Sequence, residues 1–226
     1  MKIKKLEWDS TFFNLNIGKL SLPESTNLNI DSIIPFCLNF DLVYVFSSGS
    51  FLNPVFFESQ KIELELVLLK TDSKLKKNEN IYPCQELSDD LIKLSYECGK
   101  HSRFKLDSKF STSDFENLYK VWIEKSIERE ICDEVFVYKI EDQIVGFVTI
   151  KIKDLEAEIG LIAVDPKYQG IGIGQGLIDS TINYSLRKGI KKIVVSTQGN
   201  NPQAIDFYTK KDFKIANTKI ITHLWM

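Results

Sequence analysis

Two kinds of hydrophobic spacing alternate along the chain. Leu42–Ser48 and Lys61–Lys70 read as strands, the second placing Ile62, Leu64 and Leu66 against charged neighbours. Between them the segment Leu28–Phe40 reads as a weak helix interrupted by Pro35. From residue 88 the helical period takes over. Ser88 can cap a helix through Cys98, with Asp89 and Asp90 in its first turn and Gly99 at its end. A second helix over Ser113–Arg129 points Phe115, Leu118, Val121 and Trp122 inward, after a basic, aromatic loop over Lys100–Thr112. Val135–Ile140 and Ile144–Ile152 form a hairpin, and a strand follows from Glu158. Asp165-Pro166 stops that strand, because proline cannot donate to a ladder. A helix over 174–188, a strand over Ile190–Gln198, a helix through Lys210 and final strand pattern from Phe213 complete the chain.

The order after Cys84 is αα-βββ-α-β-α-ββ, which predicts an α+β domain over residues 76–226. Residues 1–75 are expected to form a smaller α/β domain, with the polar stretch Thr71–Asn80 as its boundary. A formal net charge of -2 points away from a nucleic-acid surface or a polybasic membrane patch. The four cysteines form no close pair and have no histidine at ligand spacing, so neither a metal site nor a disulfide framework is expected. The amino-terminal residues carry no apolar targeting core and no apolar run is long enough to span a membrane. The expectation is a cytoplasmic protein whose sheet edges offer a route to a homodimer.

The densest chemistry lies in EIGLIAVDPKYQGIGIGQG, from Glu158 to Gly176. A strand, a glycine loop and a helix in that order make a site for an anion, since glycine admits phosphate to the backbone and the helix N-terminus favours negative charge. The glycines at 170, 172, 174 and 176 satisfy neither the i, i+2, i+5 spacing of a dinucleotide fingerprint nor a P-loop, which needs Gly-Lys-Ser/Thr. They do fit Gln-x-x-Gly-x-Gly with Gln169, Gly170, Ile171, Gly172, Ile173 and Gly174, which resembles the acetyl-coenzyme-A pyrophosphate loop of GNAT acetyltransferases. Downstream, Asn201-x-x-Ala204-x-x-Phe207-Tyr208-x-Lys210-Lys211-Asp212-Phe213 resembles the closing motif of the same superfamily, with Asp212 where glycine is usual.

A narrower resemblance runs along almost the whole chain. Leu6-x-Trp8-Asp9-x-x-Phe12-Phe13, Ser102-Arg103-Phe104, Trp122-Ile123-Glu124, Ile159-Gly160-Leu161 and Thr197-Gln198 are similar to the TDP-fucosamine N-acetyltransferase family (WecD-like). That resemblance implies a GNAT fold behind a small N-terminal domain, acetyl-CoA as cofactor, and a dTDP-linked amino sugar as partner.

The implied roles follow residue by residue. Backbone N–H groups at Gly170–Gln175 take the pyrophosphate, and backbone groups of Ile162, Ala163 and Val164 pair with pantetheine and supply an oxyanion donor. Gln169, Asn201, Phe207 and Lys210 complete the expected cofactor contacts. Tyr208 is the expected proton donor to the departing thiolate, because a phenol and a thiol ordinarily titrate at roughly 10 and 8.5. A packing role for Tyr208 is the alternative. Glu158 stands open between general base and solvated strand-end charge. Arg103 is a candidate for the nucleotide diphosphate and Phe104 for stacking on base or sugar, against a plain surface-loop reading.

Overall fold

The computed structural model describes residues 2–23, 29–51, 55–68 and 78–226. In chain order the elements are β1 (Lys4–Lys5), α1 (Glu7–Phe13), β2 (Ile17–Ser21), α2 (Ile34–Cys37), β3 (Leu42–Ser47), β4 (Phe57–Val67) and β5 (Ile81–Pro83). Then follow α3 (Asp89–Gly99), α4 (Arg103–Leu106), α5 (Thr112–Ile127), β6 (Glu134–Ile140), β7 (Gln143–Lys153) and β8 (Glu156–Val164). The last are α6 (Ile173–Arg187), β9 (Lys192–Gln198), α7 (Pro202–Thr209) and β10 (Lys214–Trp225).

Contacts divide the chain into two compact units that do not follow sequence order. One unit holds Met1–Ile62, Thr197–Ile205 and Ile215–Met226; the other holds Glu63–Ser196 and Asp206–Lys214. This differs from the expected division at 75/76, and the reason is β10. It pairs antiparallel with β3 from Ile220↔Ser47 to Trp225↔Leu42, so the chain's final strand belongs with its first ones. Residues 71–77 of the expected linker lie outside the described residues.

In the first unit β1, β2, β3 and β10 lie in that order, with β2 and β3 parallel. The helix expected over 28–40 is instead a 3-10 turn at Ile30–Ser32 followed by the single turn α2, with Pro35 in its opening positions. Proline fits there because its missing N–H has no helical acceptor anyway. Ile30, Ile33 and Cys37 pack on Leu20, Val43, Val45 and Leu224. His223 lies wholly buried in β10, its ring 4.9 Å from Tyr44 and 5.1 Å from Phe57.

In the second unit β9, β8, β7, β6 and β5 form a mixed sheet in which only β8 and β9 are parallel. Ile144 through Ile150 of β7 are buried without a break, which requires cover on both faces. Helix α6 covers one: Phe136 meets Tyr184, and a side chain on Gly146 would strike Ile173 and Leu177. Helices α3 and α5 pack on each other, α3 against β7 and β8 and α5 against β6, which covers the other face. Ser88 caps α3 through the Leu91 N–H, and Ser111 with Asp114 makes a reciprocal capping box on α5, one residue earlier than the spacing predicts. The architecture is the GNAT fold, a mixed sheet flanked by helices. Among the described residues no helix is long and apolar enough to cross a membrane, and no group of three potential ligands is placed to hold a metal ion.

Candidate active site

The site begins with a fault in the sheet. Between Val148↔Ile162 and Ile150↔Ile159 the β7–β8 register slips, so Gly160 and Leu161 together oppose Thr149. The Thr149 hydroxyl repairs the fault by accepting the Leu161 N–H at 2.8 Å. On its other side β8 pairs with β9 only from Glu156 to Ile159. Beyond Ile159 the two parallel strands part.

The edge this frees can be followed atom by atom. The Val164 carbonyl accepts from Gln169 Nε2 at 3.0 Å, while the next residue's N–H, at Asp165, donates to Val145 in β7. In an antiparallel ladder one residue's N–H and C=O point the same way and its neighbours' point the other. Val164 and Ile162 therefore aim their backbone groups away from β7, and Ala163 aims toward it. The Ile162 N–H meets the thiol of Cys98 on α3. Of the three residues expected to pair with a pantetheine arm, Ile162 and Val164 turn their backbone groups off β7, and the ladder turns Ala163 toward it.

The glycine loop follows. Gly170 and Gly172 adopt φ of +82° and +92°, a region where any side chain is strained, and the space beside both is open. Gly172 is the N-cap of α6 and supplies no side-chain acceptor, so the first N–H groups of the helix at Ile173, Gly174 and Gln175 are left to a ligand. The first turn contains no acidic residue. Ile171, at the tip of the loop, is 68% exposed. A polyanion thus meets backbone donors, the positive helix end and no competing carboxylate, which fits a pyrophosphate.

Helix α7 is fixed to this loop by one close approach. A Cβ on Gly174 would lie 3.3 Å from the ring of Phe207, and 3.8 Å from Val164. Phe207 is therefore a packing residue against the first turn of α6. The next residue, Tyr208, is 3% exposed, with its ring 5.5 Å from Phe213. Burial first, and Cys98 second, push the Tyr208 phenol above its ordinary value. Asp212 takes φ of +64°, the left-handed conformation that glycine would supply there. Asn201 belongs to the first unit, where its Oδ1 accepts the Ala204 N–H at 3.1 Å and caps α7. Lys210 is exposed.

One expected residue, Phe104, takes a different role. Phe104 is 6% exposed, with Phe110 and Trp122 against its ring at 5.4 and 6.0 Å. Its ring is core, closed to a stacking ligand, because α4 tucks it under α5. The guanidinium of Arg103 lies over that same ring, 4.2 Å from its centre. Glu158 is exposed, and the extra residue in β8 flips the alternation so that it lies on the face opposite α6.

Spacing gave no sign of the residues that surround the Ile162 N–H. Cys98 on α3 interacts with both the Tyr119 phenol of α5 and that of Tyr208. Its thiol is pushed up to about 11, chiefly by burial, with the Ile162 N–H and Glu97 pulling in opposite directions. Tyr119 is 6% exposed and likewise raised, again mainly by burial. These groups come from helices 21 positions apart in the chain and meet only in three dimensions.

The profile of the Acetyltransferase (GNAT) family matches residues 101–213, half of the chain. The chain belongs to the GNAT family of acetyltransferases. An uncharacterized N-acetyltransferase of Methanocaldococcus jannaschii is 34% identical over 103 residues, covering 42% of this chain and 44% of the relative. A mycothiol acetyltransferase of Propionibacterium freudenreichii is 27% identical over 81 residues, covering 34% of this chain and 26% of the relative. The chain thus spans under half the length of these two relatives. A functionally unknown conserved protein from Staphylococcus epidermidis shares the fold with a TM-score of 0.61, at 17% identity over 92% of this chain and 84% of its own. A GCN5-related N-acetyltransferase from Sphaerobacter thermophilus gives a TM-score of 0.53 at 14% identity, over 87% and 64%. The GNAT family is one of acetyl-CoA-dependent acyltransferases, and the loop, the freed β8 edge and Tyr208 all suit that cofactor.

Proposed function

We propose that this GNAT protein is an N-acetyltransferase that moves acetyl from acetyl-CoA to the amine of a nucleotide-linked amino sugar of the dTDP-4-amino-4,6-dideoxyhexose type. One observation carries the acyl-transfer half. The approach of Phe207 to Gly174 ties α7 to the phosphate loop, and Tyr208, the next residue, interacts with Cys98, whose thiol meets the Ile162 N–H of β8. The acceptor rests on the resemblance to TDP-fucosamine N-acetyltransferases, with Arg103 offered to the diphosphate.

In this reading the pyrophosphate lies on the N–H groups of Gly170–Gln175, and the pantetheine arm pairs with Val164 and Ile162. Gln169 steadies the turn through Val164, and Lys210 adds positive charge. A neutral amine attacks the thioester carbonyl, the C–N bond forms, and the carbonyl electrons are held by a backbone N–H of β8. The C–S bond then breaks and Tyr208 gives its proton to the sulfur.

The raised phenol is suited to that step. Cys98 shows what the surroundings do to a thiol: burial holds it near 11, so a CoA sulfur leaving in the same place is also a stronger base than in water. Donor and acceptor are thus displaced in the same direction. Glu158, exposed on the face opposite α6, takes the amine proton through water.

The test is a screen of dTDP- and UDP-linked amino sugars, peptide N-termini and lysine with acetyl-CoA, following free thiol. The expected result is turnover confined to dTDP-amino sugars. Turnover with peptides alone would replace the acceptor class, and failure to bind CoA would remove the donor as well.

A further inference from the structure

Tyr208 accounts for the sulfur side of the thioester and β8 for its oxygen. The third substituent on the carbonyl carbon is the acyl chain, and the helices nearest the Ile162 N–H are α3, which packs on β8, and α5, which packs on α3. The wall there is stiff. A Cβ on Gly99, next to Cys98, would lie 2.5 Å from the Tyr119 ring and 2.7 Å from that of Phe115, so α5 is already pressed against the backbone of α3. Tyr119 is held in turn by Phe115 and Trp122, with ring centres at 4.9 and 5.0 Å. The buried Ser102 hydroxyl interacts with the Tyr119 phenol and adds to its support.

Cys98 stands in front of that wall. The residue is half-buried, and its thiol meets the Ile162 N–H on the edge of β8 that β9 leaves free. A thiol held near 11 is almost wholly protonated at neutral pH, so Cys98 offers no nucleophile and no acyl-enzyme step is implied.

We infer that Cys98, backed by Tyr119, is the end wall of the acyl pocket and restricts the transferred group to short acyl chains. The volume of one side chain sets the limit, because the rings behind Gly99 have no room to retreat. The inference rests on acetyl-CoA being the donor, and its test keeps the two apart.

Binding of CoA and of acetyl-, propionyl- and n-butyryl-CoA is measured by calorimetry without acceptor, for the wild type and for Cys98→Ala, Cys98→Ser and Cys98→Leu. One methylene in a tight apolar pocket changes affinity by about 10- to 200-fold. The wild type is therefore expected to favour acetyl-CoA over n-butyryl-CoA by at least about tenfold. Cys98→Ala should erase that preference, and Cys98→Ser, nearly equal in size, should keep it. Cys98→Leu should lose acetyl-CoA while still binding CoA. An acyl ranking unchanged in Cys98→Ala, or erased equally in Cys98→Ser, would overturn the inference. A wild type that binds no CoA would instead overturn the donor reading and this inference with it.

Discussion

The two halves of the site are built from different materials. The phosphate loop is backbone: glycines at positive φ, helix N–H groups and an open space where side chains would be. The proposed acyl end is side chain: Cys98 on one N–H of β8, with Tyr119 and Tyr208 interacting with Cys98 from two further helices. A backbone site tolerates little change in residue type but asks nothing of the rest of the fold. A side-chain site can be retuned one residue at a time, provided α3, α5 and α7 hold their places. On the proposed reading of this contrast, cofactor affinity belongs to the loop, and chemistry and acyl choice belong to the helices.

The sharpest way to break it is Tyr208→Phe. The ring and its contacts with Phe207 and Phe213 remain, so acetyl-CoA affinity should stay near wild type. If the phenol protonates the leaving sulfur, kcat and kcat/KM should fall together by about 10²- to 10⁴-fold. Because burial raises this phenol above its ordinary value, no loss of rate from its ionisation should be seen below pH 10. Steady-state kinetics across pH 6–10 decide the matter, and a variant with most of its kcat would make Tyr208 a packing residue.

Gln175→Glu tests the other half with a smaller effect of two opposed signs. The side chain is exposed in the first turn of α6 and the change is isosteric. A carboxylate there should stabilise the helix by about 0.3–1 kcal/mol through its dipole. It should also repel the pyrophosphate, raising KM for acetyl-CoA roughly tenfold with kcat little altered. A rise in Tm together with a rise in KM is the expected signature. An unchanged KM would place the phosphate elsewhere.

The smallest effect concerns stability. Cys98 titrates at about 9.0 unfolded and about 11 folded, so above pH 9 the unfolded chain releases a proton that the folded chain keeps. Stability is therefore full below pH 9 and is lost as pH rises toward 11. Thermal melts over that range should slope downward. In Cys98→Ala the slope should be shallower but not flat, since Tyr119 and Tyr208 are raised in the same sense. A slope identical to wild type would mean the thiol is solvated.

The same contrast explains what the sequence made readable. The loop was legible because its information is local: spacing, a stop at Asp165-Pro166 and a helix start lie within twenty residues. Helices α3, α5, α6 and α7 were legible from caps and period. The helix expected over 28–40 was not one, because Pro35 and the burial of Ile33 and Cys37 favoured separate short turns. Phe104 looked like a ligand platform beside Arg103, yet an aromatic in a basic loop is also what a fold uses to pin that loop down. Cys98 and Tyr119 carried no signal, since their meeting depends on how α3 and α5 cross rather than on any spacing.

The pairing of β10 with β3 has a consequence for how the protein is made. During synthesis β2 and β3 emerge early, but the strand that completes their sheet follows only after the whole second unit. The first unit therefore cannot close until β10 has been made, and until then β3 waits with one edge bare. Its hydrophobic strand LVYVFS is then open to pairing with the wrong chain. A ribosome that stalls before Lys214 would release a chain with a finished catalytic sheet and an open one beside it in sequence, a natural target for chaperones.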